Sequence, residues 1–150
     1  MRLSKYRKSD INQVIINYRG KTFNFNIYSE CSITEAGLEA EIKGQPSRYA
    51  LLFTLHKKIL ADFERLKATR KRVYGRLLHV AKAKVGASGR PYTDEQSKAY
   101  VESHKKYLKA TEDCLKTRED SDVLLGCVRA FEQRKDLLQT LASNLRKERI

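Results

Sequence analysis

Apolar side chains return at different periods along the chain, and the period predicts the elements. Residues 11–28, INQVIINYRGKTFNFNIY, place β-branched and aromatic residues in partial alternation around Arg19–Gly20–Lys21, the pattern of a short β-hairpin or of one strand-like arm. A lone hairpin is marginal in water, so this arm, residues 1–31, is expected to pack on helices or on a neighbouring subunit. The stretch SITEAGLEAEIKGQP then reads as a short helix. Thr34 or Ser32 can cap it, Glu35, Glu39 and Glu41 suit its early turns, and Gly44 with Pro46 stops it.

From Ser47 the seam Leu52, His56, Ile59, Phe63, Leu66, Arg70, Val73, Leu77 and Val80 alternates by three and four, as in a coiled-coil helix. Gly75 weakens this helix by about 1 kcal/mol relative to Ala and is tolerated. Residues 47–85 would span roughly 60 Å at the helical rise. VGASGRPYTDEQ breaks the helix as a flexible turn, and Thr93 with Gln96 predicts a capping box for the next one. From Asp94 the apolar face is Tyr100, His104, Tyr107, Thr111, Cys114 or Leu115, then Leu124, Val128, Phe131, Leu138, Leu141 and Leu145. Register shifts around REDSDVLLG, which predicts a kink or short break near Ser121 or Gly126 and a further helix after residue 122. Long helices joined by a loop of about eight residues fold back on each other. The expected fold is mainly α: a long antiparallel, coiled-coil-like hairpin plus a C-terminal oligomerisation helix, residues 32–150 forming one domain behind the small N-terminal β arm.

Composition supports a folded core, since 41% of the 150 residues are apolar. Charge changes the picture more. The net charge is +13, and it is distributed as +3, +8 and +2 over successive thirds, so the excess sits in residues 51–100. Between Arg65 and Asp94 there are nine Lys or Arg and no carboxylate before Asp94 itself. Residues 101–150, by contrast, set eleven bases against nine acids, the mixture expected of a solvated surface. A field of this sign favours polyanions: nucleic acid, an anionic membrane surface or an acidic protein. No apolar run is long enough for a membrane span, and the N-terminus lacks the apolar core of a signal peptide, so a cytosolic protein is expected. Cys31, Cys114 and Cys127 are odd in number and widely spaced, which predicts reduced thiols, the last two buried.

Helical spacing places Lys58, Arg65, Arg72 and Arg76 on one side of the long helix, with Lys57 and Lys71 beside them and Lys82, Lys84 and Arg90 continuing the charge across the loop. These residues suit capture of phosphates. Tyr74, inside RKRVYGR, and Tyr92 are placed to stack on unpaired bases, although tyrosines beside a seam also serve packing. Arg70 on the seam can pair with Glu112 or Glu119 of the facing helix or reach outward along its stem. Enzyme readings find little support: no phosphate-cradling loop is followed by Lys and Ser/Thr, and His56, His79 and His104 lack metal-ligand companions at helical spacing. The acids Glu112, Asp113, Glu119, Asp120 and Asp122 have no second cluster to complete a metal site. No enzyme activity and no cofactor are expected.

Three stretches carry a resemblance: IKGQPSRYALLFTLHKKILADFERLKATRKRV, TDEQSKAYVESH and CVRAFEQRKDLLQTLASNLRKE. In order and motif they resemble the UvsY-like recombination mediators of tailed phages. In these a short acidic helix leads into a Gln-Pro-Ser-x-Tyr-Ala helix start, and a closing helix carries the pattern here formed by Ala130, Phe131, Gln133, Arg134, Lys135, Asp136, Leu138 and Leu141. The resemblance covers roughly residues 32–148 and leaves the arm at 1–28 without a counterpart. It implies a non-enzymatic protein that binds single-stranded DNA, assembles into a ring-like homo-oligomer, and helps a phage recombinase replace a single-strand-binding protein on the strand. By position, the family's DNA-binding cations correspond to Lys71, Arg72 and Arg76. Its oligomerising C-terminal helix would give Leu124, Val128, Phe131, Leu138, Leu141 and Leu145 a subunit partner. The competing reading is a coiled-coil structural or adaptor protein, such as a phage assembly scaffold, that binds an acidic partner. A duplex or RNA binder is a third, without a base-reading module to support it.

Overall fold

The computed structural model describes residues 12–33, 37–86 and 89–148. Two strands, β1 (Gln13–Tyr18) and β2 (Lys21–Asn26), pair antiparallel from Gln13 opposite Asn26 to Tyr18 opposite Lys21, so the arm is a hairpin. Arg19 and Gly20 both hold positive φ, 50° and 75°, the two-residue turn whose twist matches that of the strands it joins. Ile16 is the hairpin's fully buried side chain. A helical turn, α1 (Ile27–Cys31), follows directly. Asn26 starts it, its side chain accepting from the Ser29 amide at 3.1 Å. Ser32, an expected cap for the next helix, instead closes α1: its N–H donates to the Tyr28 carbonyl at 3.1 Å and its hydroxyl to the Ser29 carbonyl at 2.8 Å. Thr34 and Glu35, the alternative cap and its first-turn acid, lie outside the described residues, as do residues 1–11 of the arm.

The next helix, α2 (Leu38–Lys82), runs unbroken for 45 residues through Gly44 and Pro46, where a stop was expected. An interior proline removes the bond from position 46 to the Ile42 carbonyl and costs about 3 kcal/mol. What offsets this cost is tertiary. Glu41 and Gln45, before the proline, both bind the buried Arg134, and Tyr49, after it, donates to Glu132 at 2.9 Å, so α4 anchors the helix on both sides of Pro46.

After α2 come a loop at 83–93, α3 (Asp94–Ser103) and α4 (Lys105–Glu148). Thr93 caps α3 with the expected box: its hydroxyl accepts from the Gln96 amide at 3.2 Å, and the Gln96 side chain accepts from the Thr93 amide at 3.0 Å. α4 is continuous for 44 residues, without the break expected near Ser121 or Gly126, so no separate helix begins after residue 122. The seam in fact keeps its step there. Cys114, Thr117, Ser121, Leu124, Val128 and Phe131 alternate by three and four, all buried or half-buried, with hydroxyl residues where apolar ones were sought. Gly126 is exposed, off this seam. The break falls instead at His104, expected on the apolar face. Its N–H donates to the Val101 carbonyl at 3.1 Å to end α3, while its carbonyl accepts from the Tyr107 and Leu108 amides and its Nδ1 from the Lys106 amide at 3.1 Å to start α4.

The chain divides into two compact units, one of residues 1–58 with 122–150 and the other of residues 59–121. In the first, the core is Ile16, Leu38, Leu52 and Leu55 with Leu124, Cys127, Val128, Phe131 and Leu138. α2 and α4 run antiparallel within it: Glu41 meets Arg134, and the Gln45 amide donates to the Phe131 carbonyl at 2.7 Å. Arg134, 2% exposed, donates to Glu41, to Gln45 and, at 3.3 Å, to the Ser32 carbonyl. His56 is buried on the seam as expected, and its pKa is pushed below the usual histidine value by desolvation and then by Lys57, with Asp122 opposing.

The second unit buries Ile59, Leu77 and Ala81 of α2 with Ser97 and Val101 of α3 and Cys114 of α4. Val80, the last seam position expected, is 48% exposed and Ala81 takes its place. The step from Leu77 is four residues rather than three. Cys114 and Cys127 are both buried, and Leu115, the alternative to Cys114, is 56% exposed. No helix among the described residues is long and apolar enough to cross a membrane.

Arg134→Met should lower unfolding free energy by about 2–4 kcal/mol, because it leaves the Gln45 side-chain oxygen without its donor and Glu41 with only Arg48, at 3.5 Å. Urea titration should show this, with partial recovery in Arg134→Met combined with Glu41→Gln. Gly126→Ala should instead stabilise by about 1 kcal/mol, since an added Cβ meets nothing within 4 Å inside a continuous helix. A fall in melting temperature for Gly126→Ala would contradict an unbroken α4.

Candidate nucleic-acid interface

A helix advances about 100° per residue, which brings Arg65, Arg72 and Arg76 within about 40° of one another on the side of α2 away from its seam. All three are exposed, as is Lys58. Arg65 is not uncompensated: it pairs with Asp62 at 2.9 Å, one turn earlier. Arg72 reaches the Thr69 hydroxyl at 3.4 Å and meets no carboxylate. Lys58 and Arg76 make no ion pair among the described residues. Lys58 belongs to the first compact unit and the other three to the second.

Lys71 departs from the expected stripe. Its position is more than about 90° round the helix from Arg72 and Arg76, on the opposite flank of the seam. There it lines a surface cleft of about 430 Å³ with Glu64, Lys67, Arg70, Tyr74 and Tyr107. Tyr74 packs edge-to-face on Tyr107 of α4, ring centroids 5.6 Å apart, so the packing role weighed for it is real and coexists with exposure to the cleft. Neither acid considered for Arg70, Glu112 or Glu119, pairs with it among the described residues. Lys67 holds Glu64 at 3.6 Å and lies 5.9 Å from the Phe63 ring centroid.

The loop residues are more fixed than a flexible turn implies. Val85 bridges Pro91, the Gly86 amide donates to the Arg90 carbonyl at 2.8 Å and the Tyr92 amide to the Lys84 carbonyl at 3.0 Å. Gly89 turns the chain at φ 73°, a conformation that favours glycine. Lys84 is half-buried with its ammonium 4.2 Å from the Tyr100 ring centroid, and Lys82 pairs with Asp94 at 3.3 Å. Arg90 is exposed and unpaired among the described residues. Two of the nine site residues are thus held by ion pairs, one leans on a ring, and the rest of the cations are without acids among the described residues. The cluster of Lys67, Arg70 and Lys71 was missed as a group, although the i, i+3, i+4 spacing is visible in the sequence. Tyr107 was visible only as a seam residue.

Of the six residues given an oligomerising role, Leu124, Val128, Phe131 and Leu138 are buried in the folded chain, whereas Leu141 and Leu145 are 37% and 42% exposed. Leu137 is exposed beside them.

The sequence matches no protein-family model and no curated protein. The structure does find likenesses. It aligns with crystal structures of the bacteriophage T4 recombination mediator protein UvsY in two lattice types, with TM-scores of 0.64 and 0.65 at 16% identity. The alignments cover 81% and 83% of this chain and 92% and 93% of UvsY. The chain has the UvsY fold. Nearly all of UvsY is matched, so the likeness extends over the long helix pair rather than a single coiled segment, and at this identity it is a likeness of fold.

Thr93→Ala removes half of the capping box that starts α3 and should cost about 1 kcal/mol in thermal or urea unfolding. An unchanged stability would mean that α3 is held by packing alone.

Proposed function

We propose that this chain is a single-stranded-DNA-binding recombination mediator that helps load a phage recombinase onto the strand in place of a single-strand-binding protein, acting in the host cytoplasm as a ring-like homo-oligomer. The observation that carries this reading is the set of exposed cations without acidic partners among the described residues, Lys58, Lys71, Arg72, Arg76 and Arg90, on a chain that shares the fold of a recombination mediator. Exposed guanidinium and ammonium groups attract phosphates at any sequence, which suits a protein that must engage whatever strand is presented. The ion pairs of Arg65 and Lys82 are exposed and worth little, so a phosphate can compete for either cation. Oligomerisation repeats weak sites along one strand and raises their joint affinity. Leu137, Leu141 and Leu145 supply exposed apolar surface for that contact, while the buried Leu124, Val128, Phe131 and Leu138 serve the fold.

Five phosphates per protomer correspond to a log–log salt slope of about −3.5 for each engaged protomer on a single strand. Arg72→Glu with Arg76→Glu should weaken binding to an oligo-dT strand by at least about tenfold at low salt, with the oligomer mass by light scattering unchanged. A flat salt response would overturn the mechanism. Intact assembly with no affinity for DNA at any salt would favour the scaffold or adaptor that binds an acidic partner.

A further inference from the structure

The cleft beside Tyr74 presents a charge that the fold leaves unanswered. Arg70 sits on the seam of α2, half-buried, and makes no hydrogen bond or ion pair among the described residues. A half-buried arginine packs its stem and keeps its guanidinium open to solvent, where an anion can reach it. With Lys67 and Lys71 it gives the cleft three cations against one carboxylate, Glu64, which Lys67 already holds. One wall is aromatic. Tyr74 and Tyr107 meet at an interplanar angle of 64°, and an edge-to-face pair leaves a ring face uncovered by its partner.

Cations and a flat apolar wall within one recess match the two parts of a nucleotide, an anionic phosphate and a base with two π faces. The volume of about 430 Å³ lies within the range of sites that enclose small ligands. We infer that this cleft is a nucleotide subsite for a single strand, in which Arg70, aided by Lys71, holds a phosphate and the Tyr74–Tyr107 pair stacks on one unpaired base. The inference rests on the single-strand reading above and adds to it a base-dependent contact on the flank opposite Arg72 and Arg76. Stacking of this kind tolerates any base sequence but requires that a base be present.

The test compares the full chain's affinity for an oligo-dT strand and for an abasic strand of equal length and charge, by fluorescence anisotropy at one salt concentration. The wild-type chain should prefer oligo-dT by roughly tenfold. Tyr107→Leu, which keeps bulk on the seam, should bring the ratio close to one and Tyr107→Phe should retain it, whereas Arg70→Met should weaken binding to both strands. Circular dichroism melting of each variant separates loss of the subsite from loss of the fold. Arg72→Glu with Arg76→Glu should weaken both strands alike and leave the ratio in place. Equal wild-type affinity for the two strands would overturn the subsite and leave phosphate capture standing, whereas no affinity for either strand would overturn both.

Discussion

A guanidinium taken out of water must be met by acceptors, and the first compact unit is organised around the one that is most deeply withdrawn. Arg134 receives a carboxylate from Glu41, an amide oxygen from Gln45 and a backbone carbonyl from Ser32. These partners lie on the end of α1 and on the first turns of α2, so one side chain of α4 ties its helix to two segments some ninety to a hundred positions earlier. The Gln45 amide meanwhile donates to the Phe131 carbonyl. Breaking such a cluster costs much more than its net contribution to stability, because the orphaned carboxylate and amide would remain partly buried. The geometry therefore specifies where α2 and α4 meet, even if an apolar core could supply equal stability.

That interaction also explains which elements could be read locally and which could not. The hairpin, its turn at Arg19 and Gly20, the Thr93 capping box and most of the α2 seam depend on neighbours within four residues or on a simple period, and all stand as the pattern implied. Pro46 misled because a proline is a reliable local stop, and what flanks it on both sides are contacts to Arg134 and Glu132, more than eighty positions away. The unbroken passage of α4 through Ser121 was hidden for a different reason. A seam was sought in large apolar side chains, while Thr117 and Ser121 hold the three-and-four step with small hydroxyl-bearing ones. His104 was hidden because imidazole is an uncommon cap, and only the acceptor at Nδ1 reveals the role.

Part of the candidate interface was equally legible. Net charge, the absence of acids between Glu64 and Asp94 and the spacing of Lys58, Arg65, Arg72 and Arg76 are properties of the sequence. The pairing of Arg65 with Asp62 was visible at i, i+3, whereas that of Lys82 with Asp94 needs the loop to close. Both pairs are exposed, and screening by salt and water leaves the field of the second unit positive. Lys71 could have been separated from the stripe by its helical angle. The face of Tyr74 that meets Tyr107 could not, since it depends on the register between two helices.

Arg134 and Arg70 both sit on helix seams, where stems pack against neighbours, with opposite outcomes. The buried Arg134 meets acceptors of its own chain at both terminal nitrogens. Arg70, half-buried, shares its cleft with two tyrosines, two lysines and Glu64, which Lys67 holds, and makes no ion pair among the described residues. Its charge stays available to a ligand. On the proposed function, the exposed cations of α2 would gather a strand through long-range attraction that salt weakens, and the recess at Arg70 would add a short-range contact that salt weakens less, since stacking carries no net charge. Affinity divided in this way, among many modest contacts of two kinds, lets a strand be held firmly in total and yet be surrendered one contact at a time.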